Sequence, residues 1–158
     1  MEKYQLHLQE SIKALQLADH ITYVTYPLVK EQRLLLKIFD EIYKSITNSI
    51  NAILYYETFY KRIKLYDNTN DNLQTFENKC AKSYNLSNEQ VKKIIEIINL
   101  NKKHKQSAME FVKQEKVIIM SDNLSTNTLD LPTIKDYLLL SKELLLNINK
   151  KINPPKPN

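Results

Sequence analysis

The chain has 158 residues, enough for one domain with a sizeable core, with 42% apolar residues, 26% charged residues and a net charge of +5. It contains no glycine, which excludes a P-loop or dinucleotide-binding turn of the usual kind, since both need a residue that takes positive φ and lets the backbone approach phosphate. Cys80 is the only cysteine, so an intrachain disulfide and a thiolate metal cluster are excluded as well.

No run reaches the ~18 consecutive apolar residues of a membrane span. The start, Met1-Glu2-Lys3-Tyr4-Gln5, lacks the basic and apolar regions of a signal peptide, so a cytosolic protein is expected. The many Asn, Lys and Ile residues point to an AT-rich genome, which by itself depresses glycine. Without glycine, the links between elements are expected to turn on Asn, Asp and Pro.

Leu8, Ile12 and Leu15 recur at helical spacing and predict a first helix over about Tyr4 to Thr25. Pro27 is expected to end it, because the residue before a proline is pushed out of helical geometry. Tyr26-Pro27-Leu28 then forms a corner. A second helix, from about Lys30 to Ile63, carries Leu35, Phe39, Ile42, Ile46, Ile50, Ile53 and Tyr60 on one line. Glu57 interrupts that line, and Asp19 lies on or beside the line of the first helix. Tyr66 to Asn72 reads as a loop and Leu73 to Ser83 as a third helix. Ser87-Asn88-Glu89-Gln90 is a capping box opening a fourth, with Val91, Ile94, Ile95 and Ile98 on one face. Ser107-Ala108-Met109-Glu110 reads as a second capping box and a short helix through Val112.

The pattern then changes. Lys116 to Met120 is rich in β-branched residues and Thr126 to Leu131 alternates, which predicts a β-hairpin. Pro132 suits the first turn of a last helix that Asp130 helps cap. Its core positions are Ile134, Leu138, Leu145, Ile148 and Ile152. Residues 153–158, rich in proline, are expected to be a disordered tail. The expected architecture is all-α: one domain over residues 1–152, a five- to six-helix bundle with two long antiparallel helices and one β-hairpin before the C-terminal helix. Leucines on more than one face of that last helix imply that it is central or that it also contacts a second subunit, and a homodimer is the expectation.

Catalytic signals are scarce. His7 and His20 stand roughly 20 Å apart along one helix, at 1.5 Å per residue, and cannot share a metal. No nucleophile elbow exists without glycine. Cys80 reads as a core thiol, although Lys79 and Lys82 beside it can lower a thiol pKa. No metal and no cofactor is expected. Asp19, His20, Tyr56, Glu57 and Tyr60 form an expected polar layer. In it each carboxylate meets a Lys, Arg or Tyr hydroxyl and fixes helix register. Pairing about the corner brings residue 19 near the mid-thirties, so Asp19 and Glu57 are not expected to form one catalytic pair.

Positive charge is uneven. Between Lys79 and Lys116 nine lysines face four glutamates, and Lys102-Lys103-His104-Lys105 is the densest run. This reads as a footprint for RNA phosphates; a solvated helix end, where cations suit the dipole, gives the same pattern. Tyr43, Tyr55, Tyr56, Tyr60 and Tyr66 cluster near Lys61, Arg62 and Lys64. They can stack on bases or pack the bundle. The candidate nucleic-acid-binding residues are Arg62, Lys64, Lys92, Lys93, Lys102, Lys103 and Lys105.

Two stretches, Ala18-Asp19-His20-Ile21-Thr22-Tyr23-Val24-Thr25-Tyr26-Pro27-Leu28-Val29-Lys30 and Ala52-Ile53-Leu54-Tyr55-Tyr56-Glu57, resemble a group of uncharacterised small archaeal proteins with a helical bundle and a terminal hairpin-plus-helix. The two long antiparallel helices are also similar in outline to HEPN domains, bundles that often dimerise and include RNA-cleaving members. The HEPN nuclease motif is an Arg, four to six residues, then His. Here Arg33 is followed at those distances by Ile38, Phe39 and Asp40, and Arg62 by Asp67, Asn68 and Thr69. Neither meets a histidine, so the resemblance implies binding rather than cleavage.

The expected function is therefore that of a non-enzymatic cytosolic interaction protein. It touches RNA or a ribonucleoprotein through the basic segment Lys92 to Lys105 and the Tyr/Arg end of helix two. One alternative is an HEPN-like ribonuclease with a degenerate motif, in which Arg62 works with Asn68 or with Asp19 or Glu57. Another is a protein–protein adaptor docking through the leucine-rich last helix and the hairpin.

Overall fold

A computed structural model describes residues 1–157. Helix α1 spans Lys3–His20 and buries only small residues, Ser11, Ala14 and Ala18. It does not stop before Pro27. It runs on through a π-turn, Ile21–Thr25, and a final α-helical turn, Tyr26–Val29. A π-turn leaves one carbonyl of the helical ladder without a donor, and proline is the residue that has no donor to give. The proline is thus absorbed where an ordinary helix would break. The corner falls at Lys30, which takes φ 54° and donates its N–H to the Tyr26 carbonyl at 2.8 Å.

Helix α2, Leu34–Phe59, is the backbone of the bundle, with Leu35, Ile38, Phe39, Ile42, Ile46 and Ile53 fully buried. It ends in a Schellman motif: Arg62 N–H donates to the Glu57 carbonyl and Lys61 N–H to the Thr58 carbonyl, both at 2.9 Å. Lys61 holds the left-handed position, at φ 60°, where glycine is usual. Helix α3, Thr69–Thr75, is capped by the Asn68 side chain and continues through a π-turn, Phe76–Cys80, and a 3₁₀ turn, Lys82–Tyr84, to left-handed Asn85. It starts four residues before the position expected, because Asn68 supplies the cap inside the expected loop. Helix α4, Asn88–Lys105, opens with the expected capping box: Gln90 N–H donates to Ser87 Oγ at 3.1 Å, and Ser87 N–H to Gln90 Oε1 at 2.9 Å.

The second expected capping box is not one. Ser107 Oγ donates to the His104 carbonyl at 3.0 Å, and Glu110 accepts from the His104 ring, so both residues serve the end of α4. Ala108 N–H donates to the Met120 carbonyl at 2.9 Å and begins a ladder. The short helix expected through Val112 is a strand, β1, Met109–Lys113. With β2, Lys116–Met120, and β3, Thr126–Leu129, it forms an antiparallel sheet in the order β1-β2-β3. The architecture is therefore predominantly helical with a three-stranded sheet, where all-α with a single hairpin was expected. Central β2 turns Val117 and Ile119 into the core, where Leu129 of β3 joins them. Helix α5, Leu131–Ile152, starts with Pro132 in its first turn and the Asp130 side chain accepting from Thr133 N–H at 3.0 Å.

Helices α1 and α2 lie antiparallel, Ser11 opposite Ser45 and His7 opposite Asn48. A seam of four fully buried serines joins them to α5. Ser11 Oγ donates to the Ser45 carbonyl at 2.7 Å and lies 2.6 Å from Ser49 Oγ, Ser45 Oγ donates to the Ser11 carbonyl at 3.0 Å, and Ser141 Oγ donates to Ser45 Oγ at 2.9 Å. Side chains this small let helix backbones approach, and each hydroxyl finds a partner that offsets the cost of its burial. Among the described residues no helix is long and apolar enough to cross a membrane.

Candidate nucleic-acid interface

The expected polar layer divides. Glu57 is buried near the end of α2, one oxygen accepting from the Tyr84 hydroxyl at 2.8 Å and the other from Arg62 Nε. Burial alone pushes this carboxyl up. The Arg62 and Tyr84 hydrogen bonds and the Arg62 and Lys151 charges outweigh burial and hold it below the ordinary carboxylate range. Tyr84 responds in the opposite sense, driven upward by its own burial and by the Glu57 hydrogen bond and charge. Arg62 lies across the rings of Tyr56 and Tyr60, 5.6 and 5.0 Å from their centroids, and Tyr4 packs edge-on against Tyr56. Asp19 lies elsewhere, half exposed and paired with Lys142 of α5. His20 is exposed and belongs to no layer. Glu41, which the apolar pattern did not single out, is a second buried carboxylate, held by Lys37 at 2.9 Å and Lys44 at 3.7 Å.

Cys80 is buried under Tyr84 and Glu57. Burial, and then the Glu57 charge, push its thiol up to about 11. Lys79 and Lys82 do not make it reactive; a thiol this high is almost wholly protonated near neutrality.

The seven candidate cations are not equivalent. Arg62 is committed to Glu57, Lys93 to Asp136 at 2.9 Å, and Lys105 lies 4.0 Å from Asp40. Among the described residues, Lys64, Lys92, Lys102 and Lys103 have no carboxylate within ion-pair distance, and all four are exposed. Lys64 sits over the Tyr66 ring at 5.4 Å. His104 turns inward from the basic run. Its Nδ1 is 2.7 Å from Glu110 Oε2, and its Nε2 is 3.1 Å from Asp40 Oδ1 but out of line for a hydrogen bond. That bridge ties the end of α4 to β1 and α2, so the exposed charge of the run belongs to its lysines.

Lys102 also borders a hollow of about 330 Å³ between α2, the first turn of α3 and α4. Its floor is Ile50, Leu54 and Ile98; its rim is Tyr43, Thr47 and Asn51 of α2, Thr69, Asn70 and Asn72 of α3, and Lys102 of α4. The rim residues on α2 recur every four positions and so share one face. Comparison with family models, with curated proteins and with solved structures finds no match to this chain. Sequence reasoning found Lys102 and named Tyr43 within a tyrosine cluster. It missed Asn51 and Asn70, because amides on a helix face and in a loop look like ordinary solvated residues. Among the described residues no group of three or more His, Cys, Asp and Glu side chains is placed to hold a metal ion.

Proposed function

We propose that the protein is a cytosolic, non-catalytic RNA-binding module whose contact surface is the basic end of α4. The observation that carries this reading is the contrast among its cations. Lys92, Lys102 and Lys103 lie on one helix without intramolecular carboxylate partners, while Lys93 and Lys105, on the same helix, are paired. The adjacent, unpaired Lys102 and Lys103 give the electrostatic footprint that draws a polyanion, and Lys92 lies about 15 Å along the axis from Lys102. Lys64, also unpaired, lies past the end of α2, whereas His104 and Lys105 lie beside Asp40 near its start, so it is a separate cation. Arg62, by contrast, closes the end of α2 and is assigned a structural part.

Binding of a labelled RNA oligonucleotide across a salt series tests the reading. Lys102→Glu with Lys103→Glu is expected to weaken binding at least tenfold, and removal of two phosphate contacts lowers the salt slope by roughly 1.4. Affinity indifferent to salt would remove phosphate contact as the basis of binding.

A separate observation favours self-association. Leu8, Ile12 and Leu15 of α1 line an apolar hollow of about 410 Å³ with Leu145 and Leu146 of α5, and Leu139 and Leu146 are more than half exposed. We infer a homodimer through this face, which borders the core stripe of the last helix and shares Leu145 with it. Light scattering at tens of micromolar checks it: a single-chain mass would remove the idea.

A further inference from the structure

We propose that the hollow between α2, α3 and α4 receives one unpaired nucleobase of the bound RNA, so that the protein selects single strands over duplex. The inference rests on the RNA-binding reading above and adds the chemistry of the site. The hollow is of a size that holds a small planar ligand, and sites of this kind combine an apolar surface with a few placed polar groups. Ile50, Leu54 and Ile98 supply the surface for the ring face.

The rim supplies the edge contacts, and its groups differ in whether they are already engaged. The Asn72 amide is engaged with both backbone groups of Tyr66, at 2.8 Å each, and the Thr47 hydroxyl with the Tyr43 and Lys44 carbonyls. The side-chain amides of Asn51 and Asn70, the Tyr43 hydroxyl and the Lys102 ammonium make no hydrogen bond or ion pair to the rest of the described chain. An amide presents a donor and an acceptor together, which matches the edge of a base. Lys102 stands where the phosphate of the same nucleotide would leave the hollow toward the lysines of α4.

The comparable hollow between α4 and α5 lacks this property. Its Lys93 is paired with Asp136, and its Gln90 amide donates to Glu143 at 2.9 Å. There the lysine and the amide are already engaged, and the lining polar group left over, Glu89, is an anion that repels a phosphate. In a duplex the base edges are turned inward and paired, so only a strand with a base free to swing out can enter the α2–α4 hollow.

The experiment compares three probes of equal charge by fluorescence anisotropy: a single-stranded RNA, the same strand with abasic linkers in place of its bases, and a duplex. The single strand is expected to bind about tenfold more tightly than either of the others, in line with one stacked or enclosed base. Asn70→Ala, at an exposed position in the first turn of α3, is expected to remove most of that advantage while leaving the salt slope unchanged. Asn51→Leu fills the hollow and should do the same, with thermal unfolding used to verify that it folds. Equal affinity for the normal and abasic strands would overturn the base pocket and leave the electrostatic reading standing. No binding of any of the three would overturn both. A preserved base advantage in folded Asn70→Ala and Asn51→Leu would place the base elsewhere and also defeat the proposal.

Discussion

Glu57 and Asp19 give the same signal in the sequence, a carboxylate on or beside the apolar line of a long helix, and meet opposite ends. Glu57 is enclosed by Tyr84 from the 3₁₀ turn after α3 and by Arg62 from the cap of its own helix. Asp19 faces the edge of α5, where Lys142 reaches it across a half-exposed surface. The difference comes from what packs over each position, and periodicity along one helix carries no information about that. A buried carboxylate is stable only with its acceptors filled, whereas an exposed pair contributes little.

The comparison is broken most easily at Glu57. Glu57→Ala removes the acceptor of a fully buried tyrosine hydroxyl and opens a cavity, and is expected to lower stability by about 2–4 kcal/mol in denaturant unfolding. A loss under about 1 kcal/mol would mean that Tyr84 finds another acceptor. Tyr84→Phe takes only the donor and should cost about 1–2 kcal/mol, since Arg62 still holds the carboxylate.

The pH dependence sharpens the contrast further. Because the folded-state pKa of Glu57 is lowered from an ordinary value of 4.5, its contribution is complete above that value and is lost as pH falls through the folded-state pKa. Unfolding of wild type and Glu57→Gln should therefore differ by a constant amount near neutrality and converge in acid. A gap that widened in acid would reverse the sign assigned to this group. The smallest effect belongs to Asp19→Asn, expected within about 0.5 kcal/mol because the pair is half exposed and screened. A loss of several times that size would make Lys142 a tie between α1 and α5 comparable to the serine seam.

Much of the bundle was legible. The α2 stripe, the Ser87 capping box and the Pro132 start were readable because each depends on residues within one or two turns. Failures came where a local signal was used for something distant. Pro27 reads as a terminator until the preceding five residues widen into a π-turn. Ser107 and Glu110 read as a helix start, yet both turn back to the end of α4 and leave the chain free to pair with β2. The serine seam escaped notice because four residues from three helices carry no periodic signature. The basic end of α4 was visible in the sequence as charge, but only the fold shows which lysines lack partners. Asn51 and Asn70 gained interest only when the hollow brought α2 and α3 together beside Lys102.

The turns carry a consequence of another kind. Lys30, Lys61, Asn85, Gln114 and Leu124 all hold left-handed backbone, where Asn alone is at ease among these residue types. Glycine would relieve about 1–2 kcal/mol of crowding at such a site and return about 0.5–1 kcal/mol of that to the freedom of the unfolded chain. At Leu124, which is 75% exposed, little packing would be lost in the exchange. Yet every codon for Lys, Asn, Gln or Leu stands at least two base changes from any glycine codon. No single nucleotide substitution reaches the relief; each corner must pass through an intermediate residue first, a detour that deliberate design avoids.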